Sequence, residues 1–311
     1  MKIVLFGSEK RTGFIQDQNV IDICSATAKF LAEQKNEKNA EVLANALAPS
    51  ELGHFINAGN KSLDYTQQAI NYLNESATDQ KGLRGQKLIF SESQVKLHAP
   101  RAAGARVACA GGNFAEHAAA MAERAKERGE RPPMEGSPLE YVRSRGFWKV
   151  DRESLGQNGK ILYPERTQRL DYEGELAIVI GKEGKNIRPE DADSYIWGVT
   201  LLGDWSIRMS PEGGPLRFGM AKNFDTSCSI GPYIVVDETK PNEIEIHFYS
   251  AQRTTTKLAT PLLATTTKTR DRSPPEKNRL GRPRRRGLAP ARPPVLPSGK
   301  PRGRLVGLRE W

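Results

Sequence analysis

Short apolar segments separated by Gly, Pro and Asp turns fill residues 147–250, and this pattern constrains the fold more than any other feature. The segments read KILYP, ELAIVIG, IWGVTLLGD, SIGPYIVVDE and EIEIHFYS. Each is long enough for one β-strand, and one short helical stretch, RPEDADSY, interrupts them. Short strands with frequent turns predict a sandwich, roll or barrel rather than a doubly wound parallel sheet.

Residues 1–100 mix strand-like segments with a helix-like one. KIVLFG and TGFIQDQNVIDI resemble short strands, whereas LDYTQQAINYLN repeats apolar residues at helical spacing after Asp64, with Gln67 completing a capping box. From Arg106 the chain reads as a short strand, a Gly-Gly-Asn loop and an alanine-rich helix that carries His117. We therefore expect an α+β fold that is mainly β, with a small α+β segment at its N-terminal end.

Residues 251–311 differ in composition from the rest of the chain. They contain nine prolines, one aromatic residue, and 16 Lys or Arg against 3 Asp or Glu, whereas residues 1–250 carry 31 basic and 34 acidic side chains. The formal charge of +10 therefore belongs to this tail. Such a composition cannot bury enough apolar surface to offset chain entropy, so we expect disorder. Nucleic-acid binding through RPRRRG is an alternative function, but we expect only nonspecific phosphate contacts, because no aromatic residues alternate with the basic ones.

The cysteines and the first residues bear on the cellular compartment. Cys24, Cys109 and Cys228 are widely spaced and show neither a disulfide framework nor the paired spacing of a zinc site. The start MKIVLFGSEKR contains an apolar run that is too short for a signal-peptide core or a membrane span. We therefore expect a cytoplasmic protein without membrane association.

Three carboxylates alternate at the start of one predicted strand. LDYEGELAIVIGK places Asp171, Glu173 and Glu175 two residues apart, and residues at this spacing project from one face of a strand. Carboxylate oxygens suit hard cations such as Mg²⁺, Mn²⁺ or Ca²⁺, and Asp204, which ends an apolar strand in LLGDWS, is the candidate third ligand. The alternative is a half-exposed strand with a solvated acidic face. The continuous apolar run ELAIVI favours burial on both faces instead.

Several of these segments together resemble the fumarylacetoacetate hydrolase superfamily. The matching motifs are RLDYEGELAIVIGKEGKNI, GVTLLGDWSIR and AKNFDTSCSIGPYIV, with GGNFAEH upstream. The resemblance runs from about Arg106 to about Ser250, and the leader also resembles the small N-terminal segment of bacterial and fungal members. It implies a mixed β-sandwich roll over residues 101–250 and a homodimer.

The resemblance also assigns roles to residues. It implies that Mg²⁺ or Mn²⁺ is bound by Glu173, Glu175 and Asp204. Lys222, in KNFD, stands where the family has a lysine that contacts the substrate, and His117 stands where it has the histidine that activates water. Asn113 and Arg208 are expected to contact the substrate as well.

The implied activity is hydrolysis of a C–C bond in a 2-oxo acid or a 1,3-dicarbonyl compound, as in acylpyruvate hydrolases. Decarboxylation, or the isomerisation and hydration steps of aromatic-ring degradation, would use the same ligands and stay open. The chain departs from the family at Ala120, where many members have a Glu, and after Ser250, where nothing resembles the strands that close the roll. A catalytically inactive relative of low stability is therefore a further hypothesis.

Overall fold

The computed structural model of the chain describes most of the first 236 residues and three short strands beyond them. The described residues are 1–75, 80–111, 115–127, 129, 146–150, 152–167, 169–210, 217–236, 246–248, 256–258 and 304–307. Helices and strands both occur among them, and the strands form a large antiparallel sheet, so the predicted α+β class is confirmed. No described helix is long and apolar enough to cross a membrane.

The first 100 residues begin with an antiparallel meander and continue with four helices. The strands are β1 (Lys2–Phe6), β2 (Arg11–Gln16), β3 (Asn19–Asp22), β4 (Ile89–Ser91) and β5 (Leu97–His98). The helices are α1 (Ile23–Gln34), α2 (Ala40–Leu47), α3 (Leu52–Asn57) and α4 (Asn60–Glu75). Asp17 and Gln18 join β2 to β3 with φ angles of 48° and 62°, the left-handed conformation that a tight two-residue hairpin requires.

Helix α4 begins earlier than predicted. It starts at Asn60, so Asp64 lies inside the helix and the predicted capping box was wrong. Gln67 instead donates a hydrogen bond to the Asn71 carboxamide at 2.8 Å, one turn further along. The helical periodicity itself is confirmed, because the apolar residues of one face are buried.

The central part of the chain adds most of the remaining strands and two helices. The strands are β6 (Val107–Ala110), β7 (Gly146–Lys149), β8 (Lys160–Tyr163), β9 (Arg169–Asp171), β10 (Gly174–Ile180), β11 (Ile196–Asp204), β12 (Ser206–Met209) and β13 (Cys228–Val235). The helices are α5 (Ala115–Glu127) and α6 (Phe218–Lys222). The predicted helical stretch before β11 is a 3₁₀ helix, Pro189–Tyr195, with its proline in the first turn.

Three short strands follow residue 245. They are β14 (Ile246–Phe248), β15 (Thr256–Leu258) and β16 (Arg304–Gly307). β14 pairs with β15, and β16 pairs with β8. The rest of residues 251–311, and with it the predicted disorder of the tail, lies outside the described residues.

One antiparallel sheet runs through the N-terminal and central parts of the chain. Its strand order is β10-β11-β13-β1-β2-β3-β4, and β5 also pairs with β1. β1 and β13 meet in the middle, where Ile3 lies opposite Ile234. The amide of Val236 continues the pairing by donating to the Met1 carbonyl at 2.9 Å. Residues on both sides of the predicted boundary at residue 100 therefore share one sheet.

The core cluster that joins the two parts lies where the N-terminal helices cover this sheet. Ile3 and Ile234 are fully buried there, together with Phe55 of α3. The Phe55 ring meets the ring of Trp197 edge to face, with centroids 6.1 Å apart. Because Trp197 belongs to β11, N-terminal residues help to fix the strand that ends in the candidate site.

Strand β10 is less buried than its apolar sequence predicted. It is the outermost strand of the sheet in the part of the chain that the structure describes. The residues Ile178 and Ile180 are 44% and 60% exposed, so the expected burial on both faces was wrong. An apolar run is buried on both faces only where a second layer covers it, and these exposures show that no described element does so here.

Candidate metal centre

Three of the predicted site residues come together where β10 begins and where β11 and α6 end. The backbone amide of Asp204 donates to the Glu173 carbonyl at 2.8 Å, which brings the two acids side by side. Lys222 is the last residue of α6, and its ammonium donates to Asp204 Oδ2 at 2.6 Å and to Glu173 Oε2. One lysine therefore joins two of the predicted metal ligands.

Lys149 of β7 reaches the same cluster from the other side. Its ammonium has no exposed surface, and it donates to Asp204 Oδ1 at 2.7 Å and to the backbone carbonyl of Lys222. Both oxygens of the buried Asp204 carboxylate are thus bound by ammonium groups. Such a pair is tolerated in the interior only because each charge is matched and hydrogen-bonded.

Arg208 of β12 holds Glu173 from the solvent side. Its guanidinium donates to Asp171 Oδ2 at 3.0 Å and to Glu173 Oε1. Arg169 in turn donates to both carboxylate oxygens of Asp171, each at 3.0 Å. Asp171 therefore acts on the cluster through Arg208, and the three alternating acids of this segment have three different environments.

The environments of Glu173 and Glu175 push their pKa values in opposite directions. Burial favours the neutral acid at Glu173, but the hydrogen bond and charge of Lys222, with Arg208, outweigh it and lower the pKa. Burial raises the pKa of Glu175 to about 7, and the charges of Glu173 and Asp204 add to the effect. Among the described residues Glu175 makes no ion pair, so it is the carboxylate of the cluster that lacks a cationic partner.

The donor chemistry of the cluster fits a hard divalent cation, although the side chains do not form a ready-made cage. In the described part of the chain, no three His, Cys, Asp or Glu side chains are grouped so that they could hold a metal. We attribute this to Lys222, whose ammonium bridges Glu173 and Asp204. An oxygen-only donor set with one unpaired carboxylate suits Mg²⁺ or Mn²⁺. Glu173, Glu175 and Asp204 could hold such an ion once Lys222 moves away.

Two other predicted site residues lie wholly or partly outside the described residues. The backbone of His117 lies in the first turns of α5, but its side chain falls outside the described residues, as does all of Asn113. The predicted departure at Ala120 lies one helical turn after His117 in the same helix. The structure therefore does not test the water-activating and substrate-binding roles expected of these two residues.

Sequence reasoning missed Lys149, the most buried cation of the cluster. A weak signal existed in GFWKV, where Phe147 and Lys149 occupy the same side of a strand and the intervening Trp148 is exposed. The Phe147 ring also lies beneath the ammonium of Lys222, with 5.5 Å from the nitrogen to the ring centroid. A charged residue that alternates with an aromatic one on the inner face of a strand needs a buried partner.

Comparison with known proteins places this cluster in a family. The family model described as fumarylacetoacetate (FAA) hydrolase C-terminal matches residues 106–266, about half of the chain. The matched region contains the whole carboxylate cluster. It also extends beyond Ser250, where the resemblance of the individual motifs ends.

Curated relatives of the chain include two oxaloacetate tautomerases. The oxaloacetate tautomerase YisK of Bacillus subtilis is 29% identical over 227 residues, which are 72% of this chain and 68% of that protein. The mitochondrial oxaloacetate tautomerase fahd2 of Xenopus laevis is 32% identical over 188 residues, 59% of this chain and 54% of that protein. The chain thus spans between about half and about two thirds of these relatives.

A crystal structure of maleylpyruvate hydrolase from Sphingobium sp. SYK-6, in complex with manganese(II) ion and pyruvate, aligns with a TM-score of 0.48. It is 19% identical, and the alignment covers 78% of this chain and 70% of that chain. From the family match over residues 106–266, we conclude that the chain belongs to the fumarylacetoacetate hydrolase family, whose members are enzymes.

Proposed function

We propose that the chain is a metal-dependent hydrolase that cleaves a C–C bond in a 2-oxo acid or a 1,3-dicarbonyl compound. The observation that carries this proposal is the cluster of the half-buried Glu173 and Glu175 with the buried Asp204 and Lys222, inside the region that matches the family. The ion proposed is Mg²⁺, with Mn²⁺ or Ca²⁺ as alternatives, because all three ligands are carboxylates.

The residues around the carboxylates have separate tasks in this proposal. A bound cation would polarise the oxo and carboxylate oxygens of the substrate. Lys149 keeps Asp204 and the carbonyl of Lys222 fixed, so the end of α6 stays against the cluster. If a bound cation neutralised Glu173 and Asp204, the Lys222 ammonium would be released from them. It could then face the substrate oxygen on which negative charge develops.

The remaining predicted residues complete the proposal. His117 would take a proton from the water that attacks the distal carbonyl, and Asn113 would contact the substrate. Arg208 already donates to Asp171 and Glu173. Its side chain is 38% exposed, and we propose that the substrate meets this exposed part.

We also propose a cytoplasmic homodimer, which the family resemblance suggests. The wide spacing of Cys24, Cys109 and Cys228 in the sequence supports a reducing compartment.

Tautomerisation of a 2-oxo acid is the second candidate function. Two of the relatives reported above are named oxaloacetate tautomerases. Tautomerisation moves a proton between carbon and oxygen and needs no attacking water. Many small family members have a Glu where this chain has Ala120, so which group would orient His117 for activating water stays open.

Substitution of Glu175 gives the sharpest test. Among the described residues, no cationic side chain loses an ion-pair partner when this carboxylate is replaced. Glu175→Gln should bind Mn²⁺ at least about tenfold more weakly in calorimetry and lose turnover of acetylpyruvate and oxaloacetate, while circular dichroism stays unchanged. Glu190→Gln removes an exposed carboxylate on the 3₁₀ helix and is the matched control. Unaltered Mn²⁺ affinity in Glu175→Gln would reject the metal site. In the unsubstituted chain, Mn²⁺ binding without cleavage of acetylpyruvate, but with faster enolisation of oxaloacetate, would select the tautomerase.

A further inference from the structure

A second site of opposite charge lies beside the ribbon formed by β6 and β7. An open cavity of about 470 Å³ adjoins the start of β6 and the end of β7. Among the described residues that line it, none is acidic and four are cationic, namely Arg101, Arg106, Lys149 and Arg152. A concave surface lined by one sign of charge concentrates counter-ions of the other sign.

Arg106 and Arg152 give this cavity exposed positive charge. Lys149 lines the cavity, but its ammonium is fully buried against Asp204 and the Lys222 carbonyl. Arg106 and Arg152 are exposed, and neither forms an ion pair with any described carboxylate. Arg106 and Arg152 are therefore not ion-pair partners of the carboxylate cluster, although Lys149 borders both the cluster and the cavity.

One wall of the cavity is flat and amphipathic. The guanidinium carbon of Arg106 lies 6.0 Å from the centroid of the Trp148 ring, and that ring is 55% exposed. Arginine over an aromatic ring presents both charge and apolar surface at one place.

The opposite wall is formed by the loop that carries Arg101. The Arg101 side chain donates to the Ala105 carbonyl at 2.9 Å and 2.6 Å and to the Ser154 hydroxyl at 3.2 Å. Gly104, with φ of +74°, adds no side chain, and an added Cβ there would meet nothing within 4 Å. The space beside Gly104 is therefore open.

We propose that this cavity binds a small planar organic carboxylate, with its flat body against Trp148 and its oxygens accepting from Arg106 and Arg152. Arginine matches carboxylate geometry through two parallel N–H donors, and indole offers a face to an unsaturated or aromatic body. This ligand uses none of Glu173, Glu175 and Asp204, so the inference goes beyond the proposed reaction. Inorganic phosphate would satisfy the charge alone and leave the indole unused.

Three probes distinguish these cases on the full 311-residue chain in the presence of EDTA. Benzoate, benzamide and inorganic phosphate are each titrated, with ligand-observed NMR as the readout. Benzoate should bind saturably, and both benzamide and phosphate should bind at least about tenfold more weakly. Absence of saturable benzoate binding, or equal binding of phosphate, would overturn the proposed ligand class.

Variants assign the binding to the cavity. Arg106→Gln combined with Arg152→Gln should weaken benzoate binding about tenfold or more, and Trp148→Leu should weaken it as well. Arg188→Gln removes a guanidinium that pairs with Asp191 elsewhere on the surface and should leave benzoate affinity unchanged. An equal loss of benzoate affinity in the Arg106 and Arg152 double variant, in Trp148→Leu and in Arg188→Gln would contradict the proposal.

Benzoate titrations with EDTA and with Mn²⁺ distinguish failure of the proposed cavity from failure of the proposed metal centre. Benzoate binding should persist in EDTA and in Glu175→Gln, even if that variant loses Mn²⁺. Binding that appears only when Mn²⁺ is added would place benzoate at the carboxylates, which would refute the cavity while supporting the metal centre. Conversely, EDTA-resistant benzoate binding in a chain that binds no Mn²⁺ would support the cavity and refute the metal centre.

Discussion

Lys149 is a charged side chain without exposed surface, and its two acceptors belong to β11 and α6. Replacement by Met keeps the approximate volume but leaves Asp204 with one ammonium instead of two. We expect Lys149→Met to lower the free energy of unfolding by about 3 kcal/mol, the usual cost of breaking a buried ion pair from one side. Urea unfolding followed by circular dichroism measures this.

The matched control for Lys149 is Lys10, which pairs with Glu153 at 3.0 Å on the surface. Lys10→Met should leave the urea midpoint essentially unchanged, because exposed ion pairs contribute little. If the two variants unfold at the same urea concentration, Lys149 does not have the role assigned to it.

Glu175 should make cation binding depend on pH. Its pKa lies at about 7 in the folded chain against an ordinary value of 4.5. Between these values the folded state holds a proton that the unfolded state has released, so the metal-free protein loses stability as pH rises through this range. A cation must displace that proton, so Mn²⁺ affinity should rise with pH and level off above about 7. Calorimetry at several pH values would show a flat profile if the site does not involve Glu175.

Two thiols should be protected from alkylation. Burial raises the pKa of Cys24 to about 11, and burial with the nearby charge of Asp204 raises the pKa of Cys109 to about 12. At pH 8 the thiolate fraction at Cys24 should be about a hundredfold below that of a free cysteine. Mass spectrometry after iodoacetamide treatment should find both residues unlabelled in buffer and labelled in urea. Rapid labelling without urea would contradict the burial.

At the scale of elements, β10 is an outer strand with one paired edge and one unpaired edge among the described residues. One edge pairs with β11 from Gly174 to Ile180, and the other has no partner among the described residues. An outer strand with exposed apolar side chains is a template for pairing with another chain. We therefore expect any aggregation of the chain to begin at this strand.

Ile180→Thr should reduce aggregation without changing the fold. The side chain is 60% exposed, so its loss should alter the free energy of unfolding by less than about 0.5 kcal/mol. Ile187→Thr, an equally conservative change at an exposed isoleucine outside the strands, is the control. Light scattering during heating should separate the two variants; identical curves would show that β10 is not the aggregating edge.

For the whole molecule, the shared sheet predicts cooperative unfolding. Ile234 of β13 is fully buried against residues of β1 and α3, so Ile234→Ala should cost about 3 kcal/mol. The destabilisation should appear in the N-terminal 100 residues as well as in the central part. Hydrogen exchange should therefore speed up in β1 and in β13 alike. Faster exchange confined to β13 would mean that the two parts fold independently.

The sequence predicted local features better than long-range partners. The strands around Glu173 and Asp204 follow from apolar runs between turns, and the motifs pointed to Lys222 beside them. The pairing of Ile3 with Ile234 could not be predicted, because strand periodicity does not specify a neighbour 231 positions away. Lys149 was missed for the same reason, since its partner Asp204 is 55 residues distant. Burial of β10 was predicted wrongly because exposure depends on layers that a single strand does not encode.

The ion pairs around the candidate metal centre also determine the order in which a cation and an anionic ligand would bind. Above pH 7 the four acids Asp171, Glu173, Glu175 and Asp204 are balanced by four bases, Lys149, Arg169, Arg208 and Lys222. A neutral cluster has no net attraction for an anionic 2-oxo acid. A divalent cation would leave two uncompensated positive charges, so ligand attraction would begin only after the cation arrives. Pyruvate should then bind in calorimetry with Mn²⁺ present and fail to bind at this cluster in EDTA, so the metal-free cluster would not attract the proposed 2-oxo acid substrate.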